Sequence, residues 1–344
     1  MIETPAVFST YATHLMETME KNPESFLGIL CWYTVPESVW VNYYDYTSKA
    51  LIAKAPVVIK KAPKAADVFL RACTSVESSF RRIPKVQENQ EESYINYLVR
   101  NAGSDADWIC KQVVAETVDK NEHQISFDIV GDLRFNKKSH VIVDDRPDAP
   151  SGSYDINAHG LQVYSAEPSA IQGIFNFDEL VTQIKAYYKE KEMLLTAYAV
   201  RESFRHALEG PLMALSVRSS GGIYFVGTNK FEGLAGLETL ASELPGVGFH
   251  MLPLVDDNKQ RTMIKEAFED DAVGELEKLM GEIADTSKMS VKQLVSFQER
   301  FFEHRSRNKE YSSVLQDNLE KSQATLKLCN LAIKAAFEKI GEEV

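Results

Sequence analysis

Cysteine is scarce in this 344-residue chain. Cys31, Cys73, Cys110 and Cys329 lie far apart and form no CxxC or knuckle spacing. A disulfide framework or a zinc ribbon is therefore not indicated, and reduced thiols in a cytoplasmic setting are expected. Long apolar runs are lacking too. The longest, Phe26 to Val35, is about half of what a membrane helix needs, and the first residues lack the basic-then-apolar layout of a signal peptide. The seven histidines are scattered, with no HxxxH or HExxH pair, and there is no GxSxG. No residue combination names a reaction, a cofactor or a metal. The expectation is a protein that works without catalysis and without a cofactor.

Hydrophobic residues make up 44% of the chain and charged residues 26%, which suits a folded core. The net charge of −12 falls after residue 83, because residues 1–83 hold 9 basic against 8 acidic side chains. Acidic surfaces repel phosphate backbones and anionic membranes unless a local patch reverses the sign. One stretch does. Residues 54–85 carry Lys54, Lys60, Lys61, Lys64, Arg71, Arg81, Arg82 and Lys85 against Asp67 and Glu77. A nucleic-acid contact through this segment is one reading; a solvated helix edge pairing with the acidic remainder is the other.

Periodicity predicts an α+β protein: an N-terminal mixed unit with an antiparallel meander, then a small β-β-α-β sheet packed with long helices that end in a C-terminal helical arm. Helices are expected at 5–21, after Asn42, and from Pro63 to Phe80. Leu27–Val35 reads as a buried strand. Between 92 and 144 the period becomes two, as in Gln124-Ile-Ser-Phe-Asp-Ile-Val130, with turns at 119–122 and 131–132. Residues 145–160 have the composition of an exposed linker. Then come a long helix Phe177–Glu209, strands 212–217 and 223–226 around a Ser219–Gly222 turn, a helix near 231–243, strand Phe249–Val255, and helices 257–284 and 290–341. The expected divisions are a domain at 1–145, a linker at 146–172, a sheet-and-helix unit at 173–286 and the arm at 287–344.

The final helix carries an apolar seam at steps of three and four that includes Leu294, Phe301, Leu315, Leu319, Leu326, Cys329, Ile333 and Ile340, interrupted by polar residues between Gln298 and Ser312. A helix of this length needs a partner for its seam. That partner is either the chain's own helices 177–209 and 257–284 or a second protomer, with Leu315, Leu319, Leu326, Ile333 and Ile340 as the self-association residues. Other constellations have structural readings. Asp256-Asp257 precede a helix and suit capping, with a divalent metal as the alternative. Asp144-Asp145 end a strand. Arg201, Arg205 and His206 share a helix end near Arg218, where cations complement the helix dipole or line an anion pocket.

Several segments resemble a poorly characterised family of bacteriophage and bacterial proteins: Leu27-Gly28-Ile-Leu-Cys-Trp, Ala66-Asp67-Val-Phe69-Leu-Arg71-Ala72, Gly221-Gly222-Ile-Tyr224-Phe225-Val226, Leu252-Pro253-Leu254, and Arg261 through Ala267-Phe268-Glu269. The resemblance covers about two thirds of the chain and leaves out the last fifty residues. It implies a phage or bacterial intracellular setting; the family has no established reaction, so no catalytic residue carries over. The function expected is a binding or assembly protein that makes contacts through its helical arm, with a protein partner or a second copy and no membrane. The alternatives are a nucleic-acid accessory protein that uses Lys60, Lys61, Lys64, Arg81 and Arg82, with Arg205 and Arg218 as further anion contacts, and a metal- or nucleotide-dependent enzyme with an unrecognised site.

Overall fold

The structure is a computed structural model that describes residues 6–57, 62–81, 83–84, 94–119, 124–145, 177–217, 222–284 and 290–342. In chain order its elements begin with α1 (Ala6–Lys21), β1 (Phe26–Thr34), β2 (Trp40–Asn42) and α2 (Tyr43–Ile52). Next are α3 (Ala65–Glu77), β3 (Ile83–Pro84), β4 (Tyr94–Ser104), β5 (Trp108–Asp119), β6 (Gln124–Asn136), β7 (Ile142–Asp145), α4 (Phe177–Lys191) and β8 (Leu194–Thr196). The remainder is α5 (Ala197–Glu209), β9 (Leu215–Ser216), β10 (Tyr224–Gly227), α6 (Phe231–Ser242), β11 (Gly248–Val255), α7 (Asn258–Ala284), α8 (Val291–Leu315) and α9 (Glu320–Glu342). The chain is α+β, with antiparallel sheets and long C-terminal helices.

Two compact units result, one made of residues 1–59 and 196–344 and the other of residues 60–195. These differ from the expected division at 145 because β1 pairs with strands two hundred residues later in the chain. The expected linker, 146–172, lies outside the described residues.

In unit 60–195 five strands run in the order β3-β4-β5-β6-β7, each antiparallel to its neighbour, so the expected meander is present. Alternation puts Tyr97, Val113, Ala115, Leu133 and Phe135 in a core with Phe69 and Ala72 of α3 and Leu180 and Ile184 of α4. Phe69 stacks on Phe135 with ring centroids 4.9 Å apart, a contact worth about 0.5–1.5 kcal/mol beyond its buried area.

The second unit holds a four-stranded sheet in the order β11-β1-β10-β9. Periodicity led to a β-β-α-β sheet; the structure inserts β1 at its centre, antiparallel to both β10 and β11. A central strand is covered on both faces, which explains why Phe26–Ile29 are all buried and read as a continuous apolar run. Strand β9 is short because Met213, at φ 51°, takes the backbone out of extended geometry. Gly222 of the expected turn has φ 92°, a conformation glycine tolerates.

Two expected long helices are broken. Residues 177–209 form α4 and α5, separated by β8, because Thr196 caps a new helix by accepting from the Ala199 N–H. Residues 290–341 form α8 and α9, separated at Gln316 (φ 52°) and Leu319 (φ 44°). The Ser312 hydroxyl donates to the Asp317 carbonyl and the Asp317 carboxylate accepts from the Leu319 N–H, which ties the reversal. Four residues fill it, so the three-four step of the seam runs through without a visible fault.

Gly28 marks a close approach inside the sheet. A methyl group there would come within 2.5 Å of the Phe225 ring and against the Val226 carbonyl, whereas one at Gly274 in α7 would meet nothing within 4 Å. Gly28→Ala is expected to lower stability by roughly 1–3 kcal/mol. Gly274→Ala should leave it unchanged or raise it by up to about 1 kcal/mol. Urea unfolding of both variants checks this pair.

Candidate functional site

The richest chemistry gathers on the C-terminal bundle of α7, α8 and α9. Ser290 starts α8 with a capping box: its hydroxyl accepts from the Gln293 N–H, and the Gln293 side chain accepts from the Ser290 N–H. Leu276, Leu279 and Ile283 of α7 meet Leu294 and Phe301 of α8 and Cys329, Ile333 and Ala336 of α9 in one core. Asn308, Ser322 and Glu269 are buried polar residues of the bundle, and Glu269 accepts from the Lys321 N–H at 3.0 Å. The Asn308 amide donates to the Ser322 hydroxyl at 2.5 Å, which donates in turn to the Leu319 carbonyl at 3.0 Å.

Toward the sheet, the bundle is anchored by Tyr311. Its ring stacks on Phe268 at 4.3 Å and its hydroxyl reaches the carbonyls of Met213 and Phe225 at 3.1 and 3.2 Å. Complete burial raises its pKa far above the ordinary phenol range. The positive φ of Met213 belongs to this anchor, because Met213 presents one of the two carbonyls.

One flank of the bundle is a charged cleft of about 800 Å³ between α7, α8 and the segment around Met213. Arg307 spans it. Its guanidinium lies 2.9 Å from Asp271 and 3.4 Å from Glu275, donates to the Ala214 carbonyl at 3.2 Å, and sits 5.7 Å from the centre of the Phe268 ring. His304 Nδ1 is 3.5 Å from Glu275. Burial, then Glu275's neighbour Asp271, raises the Glu275 pKa; burial, then Arg307 and Arg300, lowers that of His304. Arg300 pairs with Glu282 at 2.6 Å. The cations of α8 on this flank thus answer the acids of α7.

The other flank differs. A groove of about 760 Å³ between α8 and α9 is floored by Phe301 and Leu326 and lined by Arg305, Lys309, Ser313, Gln323, Lys327 and Asn330, with no carboxylate among the described residues. Arg305, Lys309 and Lys327 are exposed, and among the described residues none of them enters an ion pair or a side-chain hydrogen bond.

Lys60, Lys61, Arg82 and Arg218, singled out from the sequence, lie outside the described residues. The basic stretch 54–85 is divided, with Lys54 in one unit and Lys64 and Arg81 in the other. Lys64 is exposed at the start of α3, and Arg81 is paired with Glu77, which also accepts from the Val99 N–H. Arg205 pairs with Glu202 at 2.5 Å, a carboxylate that also faces His206 at 3.7 Å. Asp257 caps α7 through the Gln260 N–H, while Asp256 holds Arg261 at 2.5 Å, and that hydrogen bond lowers the Asp256 pKa. Asp144 pairs with Lys185 at 2.6 Å. Among the described residues no group of three or more His, Cys, Asp or Glu side chains is placed to hold a metal, and no helix is long and apolar enough to cross a membrane.

Of the seam residues, Leu315, Leu319 and Ile333 are buried within the chain and Leu326 packs against the bundle core. The side chain of Ile340 lies outside the described residues. Leu315 and Leu319 pack with the four-stranded sheet and α7, and Leu326 and Ile333 with α7 and α8, all of the same chain, so these residues are not presented outward. Sequence reasoning treated Arg305 only as an interruption of the seam and passed over Lys309 and Lys327. Their signal was the absence of any acid at helical spacing on the same side. It also passed over a second apolar stripe on α9, where Leu328 and Leu331 are 58% and 62% exposed.

A histidine held neutral in the fold gives a definite pH response. In the unfolded chain His304 takes up a proton near its usual value of about 6.5, and in the folded chain only at lower pH. Its contribution is therefore present above that value and lost as the pH falls toward the lowered one. Glu275 titrates in the opposite sense and is retained in the variant. His304→Gln should flatten the loss of stability on acidification below about pH 6.5, measured by thermal unfolding across the range.

No curated protein matches the chain, and no solved structure does. A protein-family profile, described as a family of unknown function (DUF6744), matches residues 26–341. The match extends through both sheet regions and the whole bundle, further than the short sequence patterns reached. The chain belongs to this family of unknown function.

Proposed function

We propose that this protein is a non-enzymatic binding or assembly protein that makes contacts through the outer face of its helical bundle, and that a second copy of the chain is its first partner. The observation that carries this reading is the second stripe on α9. Ala324, Leu328, Leu331 and Ala335 follow steps of four, three and four along the helix, and all four are exposed. Such spacing is a seam for another helix.

The stripe is symmetric about the point between Cys329 and Asn330. Two α9 helices crossing antiparallel around a twofold axis there would set Leu328 against the partner's Leu331 and Ala324 against the partner's Ala335. The flanking charges obey the same symmetry: Glu320 meets the partner's Lys339, and Lys321 meets the partner's Glu338. All four flanking residues are exposed. A self-complementary patch of this kind is what a twofold dimer requires. The cytoplasm of a bacterium, or of a phage-infected one, is the setting we propose, on the strength of the sequence likeness.

The energetics permit at most a weak dimer. Covering what remains exposed of four leucines contributes about 4–7 kcal/mol, against an association cost of about 4–15 kcal/mol. Sedimentation equilibrium should find a reversible monomer–dimer system in the micromolar range or weaker. Leu328→Lys with Leu331→Lys should abolish it. Glu320→Lys should weaken it by roughly tenfold, about 1–2 kcal/mol, and adding Lys339→Glu in the same chain should restore it. A monomer at every concentration, or a dimer indifferent to these changes, contradicts the proposal.

A further inference from the structure

The α8–α9 groove carries an inference independent of the dimer. We infer that it is a binding site for a chain of phosphate groups. In a chain with a net charge of −12, three cations with no acidic counterpart among the described residues converge on one groove, two from α8 and one from α9. The neighbouring carboxylates are engaged elsewhere. Glu310 accepts from the Asn229 amide, and Asp317 is held by Lys265 at 2.8 Å. Protein cations left unpaired between two helix walls supply the field that an anion needs.

The other groups in the groove select for phosphate. Ser313, Gln323 and Asn330 bring neutral donors whose side chains have no partner among the described residues. Phosphate oxygens take cationic and neutral donors together, and Arg305 adds a planar fork that fits two of them. Arg305 and Lys309 are one helical turn apart, so they follow successive charges along an extended ligand rather than one point. The volume of about 760 Å³ is within the range of small-ligand sites and is open enough for a strand to lie through it. Two sources offer this chemistry: the backbone of a single-stranded nucleic acid, and free polyphosphate.

The test uses the full-length protein with two probes, a fluorescent oligothymidylate and inorganic tripolyphosphate, at low and moderate salt. Three cations predict a log–log salt slope of about −2 for a single strand, so a rise from about 50 to about 200 mM salt weakens binding roughly twentyfold. Arg305→Glu with Lys309→Glu and Lys327→Glu should reduce affinity at least about tenfold. The matched reversal of Lys259, Lys292 and Lys334, exposed cations outside the groove, should change it no more than about twofold. Unfolding curves of both variants establish that they are folded. Oligothymidylate binding with weak competition by tripolyphosphate assigns the nucleic-acid source, and tripolyphosphate binding alone assigns the free one. No binding of either probe at low salt, or equal loss in the two triple variants, overturns the inference.

Discussion

The burial of one hydrophobic seam shared by α7, α8 and α9 is the constraint on which the rest of the bundle depends. Leu276, Leu279, Leu294, Phe301 and Ile333 are each less than a tenth exposed. At roughly 1.5–3 kcal/mol apiece they contribute on the order of 10 kcal/mol before conformational entropy is counted. The reversal at Gln316–Leu319 makes this possible by folding the arm back on itself. Once the seam is consumed within the chain, any outside contact has to use what lies on the bundle's other faces.

Those faces are unlike one another, and α8 decides how. Arg300, His304 and Arg307 point to one flank, where Glu282, Glu275 and Asp271 of α7 answer them. Arg305 and Lys309, from the same helix, point to the other, where no acid among the described residues does. The first flank is therefore a structural network that joins two helices and the Tyr311 anchor. A salt bridge with both partners present neutralises its own field, whereas unpaired cations project theirs into solvent. This contrast, rather than total charge, separates a cleft that holds the fold together from a groove that has something left to bind.

Much of the architecture could be read from residue order. The alternation in Gln124–Val130 identified the meander, Asn42 identified the start of α2 by its side-chain cap, and the continuous apolar run at Leu27–Val35 identified a strand covered on both faces. Pairing partners were not legible, because a strand's pattern records its faces and not its neighbours; nothing in residues 26–34 announces that β1 lies between β10 and β11. The break at Gln316 was also hidden, since a seam with four inserted residues keeps its phase. For the site, reading one seam on α9 obscured the other. Leu326, Cys329 and Ile333 point inward while Leu328 and Leu331, one and two residues away from them, point outward. Arg305 was visible as a polar residue in an apolar series, but only the placement of α9 beside α8 reveals that Lys309 and Lys327 join it.

Native-state hydrogen exchange of the α9 backbone tests the central claim most directly, because it separates packing within a chain from packing between chains. The account predicts that the amides of Leu326, Cys329 and Ile333 exchange slowly and at rates unchanged on dilution well below any dimerisation midpoint. Protection of these amides that collapses on dilution would mean that the seam is completed by another molecule, and would contradict the account.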